Sequence, residues 1–375
     1  MSMDAIVIGA GPAGLACGAC LKRQGFDVEL LDRAQQVGAR WRGHYDSLQL
    51  HTSRGRSGLP GLAMPRTYPR YPTRAQVVEY LESYARHFEL EPVFGAEIRR
   101  VEKSGERWRV TGSMGERMAD VVVFATGIND RPRQPVIVGL EEFDGPVVHS
   151  SCYRNPEALP GQRVLVVGFG NSGADIALDL IAAGRDVQIV VRSPVNILPK
   201  ELLGVPITSF ELLTRLLPYR WADRLVAPLL RAAVGRPEDF GLVAHSKGPA
   251  ARVIEDGRIP MIDTGALAAI REGKLILRPG LERFEGQVAR FVDGLGVEFD
   301  AVVLATGYQL DLRSLLPGLP GVLDAAGRPL ASGRRTAERG LYFCSYVVSA
   351  NGQLKQAGRE AEAIARDAAE MVRRG

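Results

Sequence analysis

The hydrophobic pattern of the chain predicts short buried strands that alternate with amphipathic helices. An apolar run at residues 5–8 precedes a helical pattern over 15–24, and a second apolar run follows. Further along, a helix over 74–88 is preceded by Thr73, whose spacing to Gln76 is that of a capping box. Strands and helices that alternate in this way are typical of parallel α/β folds.

A glycine-rich turn joins the first strand to the first helix. Gly9, Gly11 and Gly14 have the GxGxxG spacing, and Asp32 ends the following strand. In such a turn the backbone can approach a pyrophosphate closely, the helix N-terminus favours its negative charge, and the acid can accept from a ribose hydroxyl group. This segment therefore predicts a dinucleotide-binding site.

The same strand, glycine turn and helix occur a second time. A strand is predicted over 163–167, and Gly168, Gly170 and Gly173 follow at one constant offset from the first set. A helix over 174–183 comes next. Because the strands, the glycines and their spacing are all repeated, the chain carries two copies of one nucleotide-binding unit.

The two copies differ at the position of the ribose ligand. Val191 stands where the first copy has Asp32, and Arg192 and Ser193 follow it. The change removes a carboxylate that would repel a 2'-phosphate and supplies an arginine that can bind one with two hydrogen bonds. We therefore expect FAD at the first site and NADPH, in preference to NADH, at the second. The alternative is that Arg192 is only a surface residue.

A further repeat marks the junctions between the domains. A strand that ends in Ala-Thr-Gly occurs at 122–127 and again at 302–307. We expect the NADPH-binding domain, residues 131–304, to be inserted into an FAD-binding domain made of residues 1–130 and 305–375. The fold class is then α/β with two Rossmann-like domains.

The segment at about 199–240 is rich in leucine and interleaved with arginines. Its spacing predicts amphipathic helices broken at Pro218 and Pro228. Such helices can form a substrate lid or a membrane-surface patch, and packing against the inserted domain is the simpler interpretation for most of their residues.

The chain closes with a predicted strand over 340–344 and an amphipathic helix over 356–373. The N-terminus of this helix, near residues 351–353, could face the flavin ring. The positive end of the helix dipole would there stabilise a negative charge.

Composition and charge exclude several classes of function. The net charge of +4 is small for 375 residues and the basic residues are scattered, so a nucleic-acid ligand is not expected. No apolar run reaches the roughly twenty residues that span a bilayer, and the N-terminus has no signal-peptide pattern. Four cysteines and five histidines indicate neither a disulfide framework nor a metal cluster. We expect a cytoplasmic protein, and a homodimer is compatible with this composition.

Cys17 and Cys20 form a CxxC in the first helix. A redox dithiol is one interpretation, but small buried residues just after a glycine turn are expected to pack against the sheet. Because no second feature supports redox chemistry, we favour packing.

A second, more specific motif carries a family resemblance. Phe143, Gly145, His149 and Tyr153 fit FxGxxxHxxxY. Together with the two glycine turns, this motif resembles class B flavin-dependent monooxygenases. Within that class the chain most resembles the plant YUCCA branch and its bacterial relatives, over nearly its whole length.

The resemblance implies an FAD- and NADPH-dependent monooxygenase. In that family NADPH reduces the flavin by hydride transfer, and O2 then adds to give a hydroperoxyflavin. An oxygen atom passes to an amine or a sulfide, or, in the YUCCA branch, the peroxide attacks a 2-oxo acid such as indole-3-pyruvate, which loses CO2. The expected partners are thus O2 and a small-molecule substrate. The alternative is an FAD- and NADPH-dependent reductase or NADPH oxidase that passes electrons to a partner.

The expected site residues form four groups. Residues expected to bind FAD are Gly9, Gly11, Pro12, Ala13, Gly14, Asp32, Arg33, Arg40, Trp41, Leu48, Leu50, His51, Thr52, Thr126, Gly127 and Gln353. Residues expected to bind NADPH are Gly168, Gly170, Asn171, Ser172, Gly173, Arg192, Ser193, Thr306 and Gly307. The four residues of the fingerprint motif form the third group, with His149 as a hinge residue and not a base. The fourth group is catalytic and contains His51 and Asn351. In microsomal relatives an asparagine beside the flavin helps to hold the peroxide, and His51 occupies that place here.

Overall fold

The computed structural model describes residues 3–210, 217–349 and 352–373. The chain divides into two compact units. The first contains residues 1–42, 52–131 and 308–375, and the second contains 43–51 and 132–307. The segment 43–51, which the sequence analysis assigned to the FAD-binding domain, therefore packs within the second unit.

A five-stranded parallel sheet forms the centre of the first unit. The glycine turn follows its middle strand, β1, which pairs with β2 on one side and β7 on the other. The spatial order is β22–β7–β1–β2–β3, and β4–β6 form a separate antiparallel sheet. The elements of this unit are β1 (Met3–Ile8), α1 (Pro12–Arg23), β2 (Phe26–Asp32), α2 (Ala39–Arg42), a 3-10 turn (Arg54–Arg56), α3 (Arg74–His87), β3 (Val93–Phe94), β4 (Ile98–Ser104), β5 (Arg107–Gly112), β6 (Gly115–Ala119), β7 (Val121–Phe124), β8 (Arg131–Pro132) at its boundary, β21 (Tyr308–Gln309), β22 (Leu341–Phe343) and α8 (Gln353–Arg373).

The second unit repeats this plan. Its parallel sheet has the order β9–β20–β10–β11–β16, and β17–β19 form an antiparallel sheet. The elements are 3-10 turns (Leu140–Glu142, Pro156–Ala158, Ile207–Phe210, Pro237–Phe240), β9 (Val147–His149), β10 (Arg163–Val167), α4 (Asn171–Ala182), β11 (Asp186–Val190), β12 (Ile197–Pro199), β13 (Glu201–Leu202), β14 (Val205–Pro206), α5 (Tyr219–Val234), α6 (Pro249–Asp256), β15 (Met261–Asp263), α7 (Ala266–Arg271), β16 (Leu275–Arg278), β17 (Leu281–Glu285), β18 (Val288–Phe291), β19 (Gly296–Glu298) and β20 (Ala301–Leu304). The prediction of two Rossmann-like domains is confirmed.

Local sequence explains where the helices begin. Helix α1 starts at Pro12, earlier than predicted, because a proline at the first helical position needs no hydrogen-bond partner for its nitrogen. The capping box of α3 is confirmed: the Gln76 amide donates to the Thr73 hydroxyl at 3.3 Å, and the Thr73 amide donates to the Gln76 side chain at 3.0 Å. Helix α8 starts at Gln353, three residues before the predicted position.

The leucine-rich segment differs from its prediction. Pro218 caps α5, but Pro228 lies inside the helix and does not break it. Trp221, Leu225 and Leu229 are exposed, so the expectation that most of these residues pack is wrong for this face. Leu212, Leu213 and Leu216, three other leucines of this segment, lie outside the described residues. A search of the described helices for one long and apolar enough to cross a membrane finds none.

Candidate functional site

The first glycine turn has the backbone geometry that close contact with a nucleotide requires. Gly9 has a φ of +113°, and a methyl group on it would lie 2.6 Å from the carbonyl oxygen of Ala125. A methyl group on Gly14 would lie 1.6 Å from the carbonyl oxygen of Gly9. Beside Gly11, in contrast, no atom lies within 4 Å of such a group. The turn is closely packed on the inside and open at its middle glycine.

The second turn repeats these contacts. Gly168 has a φ of +111°, and a methyl group on it would lie 2.6 Å from the carbonyl oxygen of Ala305. A methyl group on Gly173 would lie 2.0 Å from the Gly168 carbonyl oxygen. A methyl group on Gly170 would again have no atom within 4 Å. Each Ala-Thr-Gly repeat therefore lies behind its own glycine turn. Both turns leave an open cradle of amide groups, which fits a nucleotide pyrophosphate.

The acid of the first unit is held in place by backbone amides. Asp32 accepts from the Ala10 amide at 2.6 Å and from the Ala34 amide at 2.8 Å. Each carboxylate oxygen keeps a lone pair that could accept from a ribose hydroxyl group. The remaining predicted FAD residues of this region are Pro12 and Ala13 at the start of α1, Arg33 after β2, and Trp41 in α2.

Arg40 anchors the loop after β7. Its guanidinium group donates to the carbonyl oxygens of Asn129 and Asp130 and lies 5.2 Å from the ring centroid of Tyr308. Arg33 forms an exposed ion pair with Asp130 at 3.4 Å. These contacts hold the segment that follows Gly127.

At the second site the predicted phosphate ligands are accessible. Arg192 and Ser193 are exposed and directly follow β11. The side-chain oxygen of Asn171 accepts from the Ile262 amide at 2.7 Å. It therefore fixes the loop before β15, while Ser172 at the next position is half-buried.

The Ala-Thr-Gly loops have matching conformations. Gly127 has a φ of +80° and Gly307 a φ of +79°. The Thr126 hydroxyl lies 2.7 Å from the Tyr346 hydroxyl, and the Thr306 hydroxyl donates to the carbonyl of Arg133.

Two further segments of the first unit contact each other. A methyl group on Gly352 would lie 2.5 Å from the Thr52 side chain, so the start of α8 packs closely on this residue. Gln353 donates to the Ser345 hydroxyl at 2.8 Å. Asn351 lies outside the described residues.

The fingerprint residues stabilise the second unit. The rings of Phe143 and Phe284 are 5.1 Å apart, and a methyl group on Gly145 would lie 2.3 Å from the carbonyl oxygen of Asp300. The Tyr153 hydroxyl donates to Asp179 at 2.8 Å, and burial raises the pKa of this tyrosine.

His149 is buried at the end of β9 and fixes the loop after β20. The Ser151 amide donates to Nδ1 at 3.1 Å. The proton of the neutral ring is then on Nε2, which donates to the Gly307 carbonyl at 3.0 Å. This arrangement supports a positioning role for His149.

Sequence reasoning missed the aspartate that binds His51. Nε2 of His51 lies 3.1 Å from Asp175 Oδ2 in α4, and the Tyr45 hydroxyl donates to the same oxygen at 2.9 Å. The Thr264 hydroxyl donates to Oδ1 at 3.0 Å. Asp175 comes two residues after the last glycine of the second turn. This position, close to the predicted nucleotide-binding turn, was the sequence signal that could have identified it as a site residue.

The residues before His51 also belong to the second unit. Tyr45 is buried in its core and Leu48 packs on the same cluster. Leu50 is buried. These neighbours fix the main chain that carries His51.

A cavity of about 580 Å³ lies beside this network in the second unit. Burial lowers the pKa of Lys200, although the carboxylates of Asp175 and Glu201 oppose the shift. The residues that line the cavity are Ser47, Gln49, His51, Asp175, Leu178, Asp179, Lys200, Glu201, Asp263 and Thr264. The cavity therefore presents a histidine, a lysine and several carboxylates.

The cysteines of the first unit are buried, which confirms the packing interpretation. Cys17, Cys20 and Cys344 are all free thiols in the core. Burial raises the pKa of Cys20 to about 12, so this thiol stays protonated at neutral pH.

Comparisons with known proteins agree with this geometry. A family model described as pyridine nucleotide-disulphide oxidoreductase matches residues 6–200. The probable indole-3-pyruvate monooxygenase YUCCA8 of Arabidopsis thaliana is 37% identical over 320 residues, which cover 81% of this chain and 74% of that protein. The indole-3-pyruvate monooxygenase YUCCA1 of Oryza sativa subsp. japonica is 37% identical over 317 residues, with coverages of 83% and 78%.

Solved structures give the same result. A flavin-containing monooxygenase from Stenotrophomonas maltophilia superimposes with a TM-score of 0.73 at 27% identity, covering 98% of each chain. The bacillithiol disulfide reductase of Staphylococcus aureus has a TM-score of 0.70 at 17% identity and 98% coverage of each chain, and it shows the fold alone. The resemblance predicted from the motifs is confirmed. The chain belongs to the flavin-dependent monooxygenase family, in the branch of the plant YUCCA indole-3-pyruvate monooxygenases.

Proposed function

We propose that this enzyme uses NADPH and O2 to oxygenate an aryl 2-oxo acid of the indole-3-pyruvate type. The observation that carries the proposal is a pair of equivalent nucleotide cradles in a chain 36–38% identical to plant proteins named indole-3-pyruvate monooxygenases. Amine or sulfide oxygenation is the other outcome within the family.

The enzyme depends on FAD and NADPH. We propose that the amides around Gly11 bind the FAD pyrophosphate, with Asp32 on the adenosine ribose, and that those around Gly170 bind NADPH, with Arg192 on its 2'-phosphate. When bound, the two cofactors supply the electrons and the activation of O2 that none of the twenty side chains can supply. The chain contributes binding, orientation and exclusion of water.

We propose that His51 accepts a hydrogen bond through Nδ1 near the reacting atoms and that Asp175 orients it. Because the Asp175 carboxylate accepts from Nε2, the neutral ring has its remaining acceptor at Nδ1. Loss of His51 should leave NADPH oxidation largely intact but divert O2 to H2O2. His51→Ala should therefore raise the H2O2 released per NADPH. Tyr45→Phe is the matched control, because it removes the other donor to the same carboxylate oxygen.

The reaction itself has a defined stoichiometry. One 2-oxo acid, one O2 and one NADPH with a proton should give one shortened carboxylic acid, one CO2, one water and NADP+. We would measure O2 uptake, NADPH oxidation and the acid product with indole-3-pyruvate as substrate. NADPH oxidation that yields H2O2 at the same rate with and without substrate would instead favour the oxidase or reductase.

We also propose that the enzyme acts in the cytoplasm. All four cysteines fall within the described residues, and each is a free thiol, which suits a reducing compartment. Light scattering of the purified protein would test the homodimer that the sequence leaves open.

A further inference from the structure

A second cavity, in the first unit, has a strongly basic lining. Its volume is about 590 Å³, within the ~300–1,000 Å³ typical of small-molecule sites. Among the described residues that line it, four are basic and none is acidic. The four basic residues are Arg54, Arg56, Arg66 and Lys355.

We propose that this cavity binds the carboxylate of the 2-oxo acid substrate and packs its non-polar part against Leu59 and Met64. The inference rests on the proposed function and adds to it the residues that recognise the acid. The lining holds four cations and no acid, and a lining of this composition favours an organic anion. The apolar side chains of Leu59, Ala63 and Met64 distinguish the site from a cradle that holds only phosphate.

Two elements that carry predicted flavin contacts form the cavity wall. Arg54 lies two residues after Thr52, and Lys355 lies two residues after Gln353. Thr52 is packed against Gly352 at the start of α8. Lys355 is in the first turn of this helix, where the helix dipole adds to the positive potential.

The loop that forms the cavity is rigidly held. Buried Tyr80 accepts from the Leu59 amide at 2.6 Å and donates to the Leu62 carbonyl at 2.7 Å. Burial raises the pKa of Tyr80 to about 12, so its hydroxyl remains a donor at neutral pH. The Tyr84 hydroxyl donates to the Pro60 carbonyl at 2.7 Å. A ligand would therefore meet a pre-organised wall, which lowers the entropic cost of binding.

The basic residues differ in how far they also support the loop. Arg54 donates to the Tyr68 carbonyl at 2.7 Å, so its substitution would also disturb the main chain. Arg66 is exposed, and Lys355 is half-buried on a helix. Arg66→Gln and Lys355→Gln are the cleaner variants, because each removes one charge and glutamine at position 355 is also a good helix former. Arg99→Gln is the matched control, since Arg99 is an exposed arginine of β4 in the same unit and does not line the cavity.

The test compares two probes on the oxidised flavoenzyme without NADPH, so that no turnover occurs. Phenylpyruvate carries the carboxylate, and phenylacetone has a methyl group in its place. Calorimetric titration should show that Arg66→Gln and Lys355→Gln each weaken phenylpyruvate binding about tenfold or more, as expected for a lost charged hydrogen bond. Phenylacetone binding should be unchanged in every variant, and Lys355→Arg should restore binding of the acid. Arg99→Gln should bind both probes as the parent enzyme does.

Several results would overturn the proposal. If both probes lost affinity equally, the variants would be disturbing the shape of the cavity and not the recognition of the carboxylate. If inorganic phosphate bound in the cavity as strongly as phenylpyruvate, the site would recognise negative charge alone and not a 2-oxo acid. Loss of flavin from either variant during purification would assign the basic residues to the cofactor.

The same variants separate this inference from the proposed reaction. Binding of phenylpyruvate that depends on Lys355 and Arg66, without oxygenation when NADPH and air are added, would keep the site and refute the reaction. Oxygenation with a KM that is the same in parent enzyme and variants would keep the reaction and refute the site.

Discussion

The equivalence of the two glycine turns gives a prediction with a built-in control. Gly11 and Gly170 have extended backbones, with φ of −82° and −99°, and no atom lies within 4 Å of a methyl group at either position. Gly11→Ala and Gly170→Ala should therefore fold. Each new methyl group would nevertheless occupy the open side of its cradle. Gly11→Ala should then lose FAD, and Gly170→Ala should lose affinity for NADPH only.

The magnitudes separate folding from binding. Replacing glycine by alanine at the N-cap lowers the free energy of unfolding by about 0.5–1 kcal/mol. Alanine also restricts the unfolded chain, which raises the free energy of unfolding by about 0.4–1 kcal/mol, so the net change in stability is small. Losing one charged hydrogen bond to a phosphate costs about 1.5–3 kcal/mol, which corresponds to roughly 10- to 150-fold in Kd. Gly14→Ala, in contrast, places a methyl group 1.6 Å from the Gly9 carbonyl oxygen and must move the backbone. It should destabilise the protein by about 1–3 kcal/mol or more.

Three measurements check this prediction. Flavin absorbance per protein gives FAD occupancy, the KM for NADPH reports the second site, and the Tm of the flavin-free proteins reports folding. Gly11→Ala should keep the Tm of the parent apoprotein while Gly14→Ala lowers it. If Gly170→Ala lost flavin but kept its KM for NADPH, or if Gly11→Ala unfolded as readily as Gly14→Ala, the assignment of the two cradles would be wrong.

The other predictions concern single side chains. Arg192→Ala should raise the KM for NADPH much more than that for NADH, and equal effects on both would remove its assignment to the 2'-phosphate. Iodoacetamide should modify the exposed Cys152 quickly in the native protein, and mass spectrometry should find the three buried cysteines modified only after unfolding; fast labelling of those three would revive a redox role. Tyr153→Phe should lower the free energy of unfolding by about 1–3 kcal/mol, because Asp179 loses a buried donor. Denaturation and flavin content measured together would test this, since a binding role would instead reduce cofactor affinity at unchanged stability.

The glycine turns and the parallel strands could be predicted because their signals are local. Apolar runs, glycine spacing and a capping box all lie within a few residues of one another, and β10 has the predicted bounds. The antiparallel sheet of the second unit was missed. Its strand β17 has a single buried residue, Phe284, among charged neighbours, so its pattern resembles a loop.

Contacts distant in sequence could not be predicted. His51 and Asp175 are separated by 124 positions, and only the folded chain brings them together. The assignment of segment 43–51 to the second unit has the same cause, since Tyr45 is bound by Asp175 across 130 positions. The exposed face of α5 was also missed, because an apolar helical spacing predicts burial whenever no partner is known.

The geometry of the turns also indicates where cofactor choice must reside. Gly9 and Gly168 differ by two degrees in φ and face equivalent alanine carbonyls at the same distance, so the turns themselves cannot distinguish FAD from NADPH. The difference lies at the end of the next strand. Asp32 is fixed there by two amides and cannot rotate away from a 2'-phosphate, whereas the amide of Val191 donates to the Arg278 carbonyl and its side chain carries no charge. We infer that a fixed negative charge in one copy, and its absence beside an exposed arginine in the other, let one duplicated scaffold bind two different nucleotides.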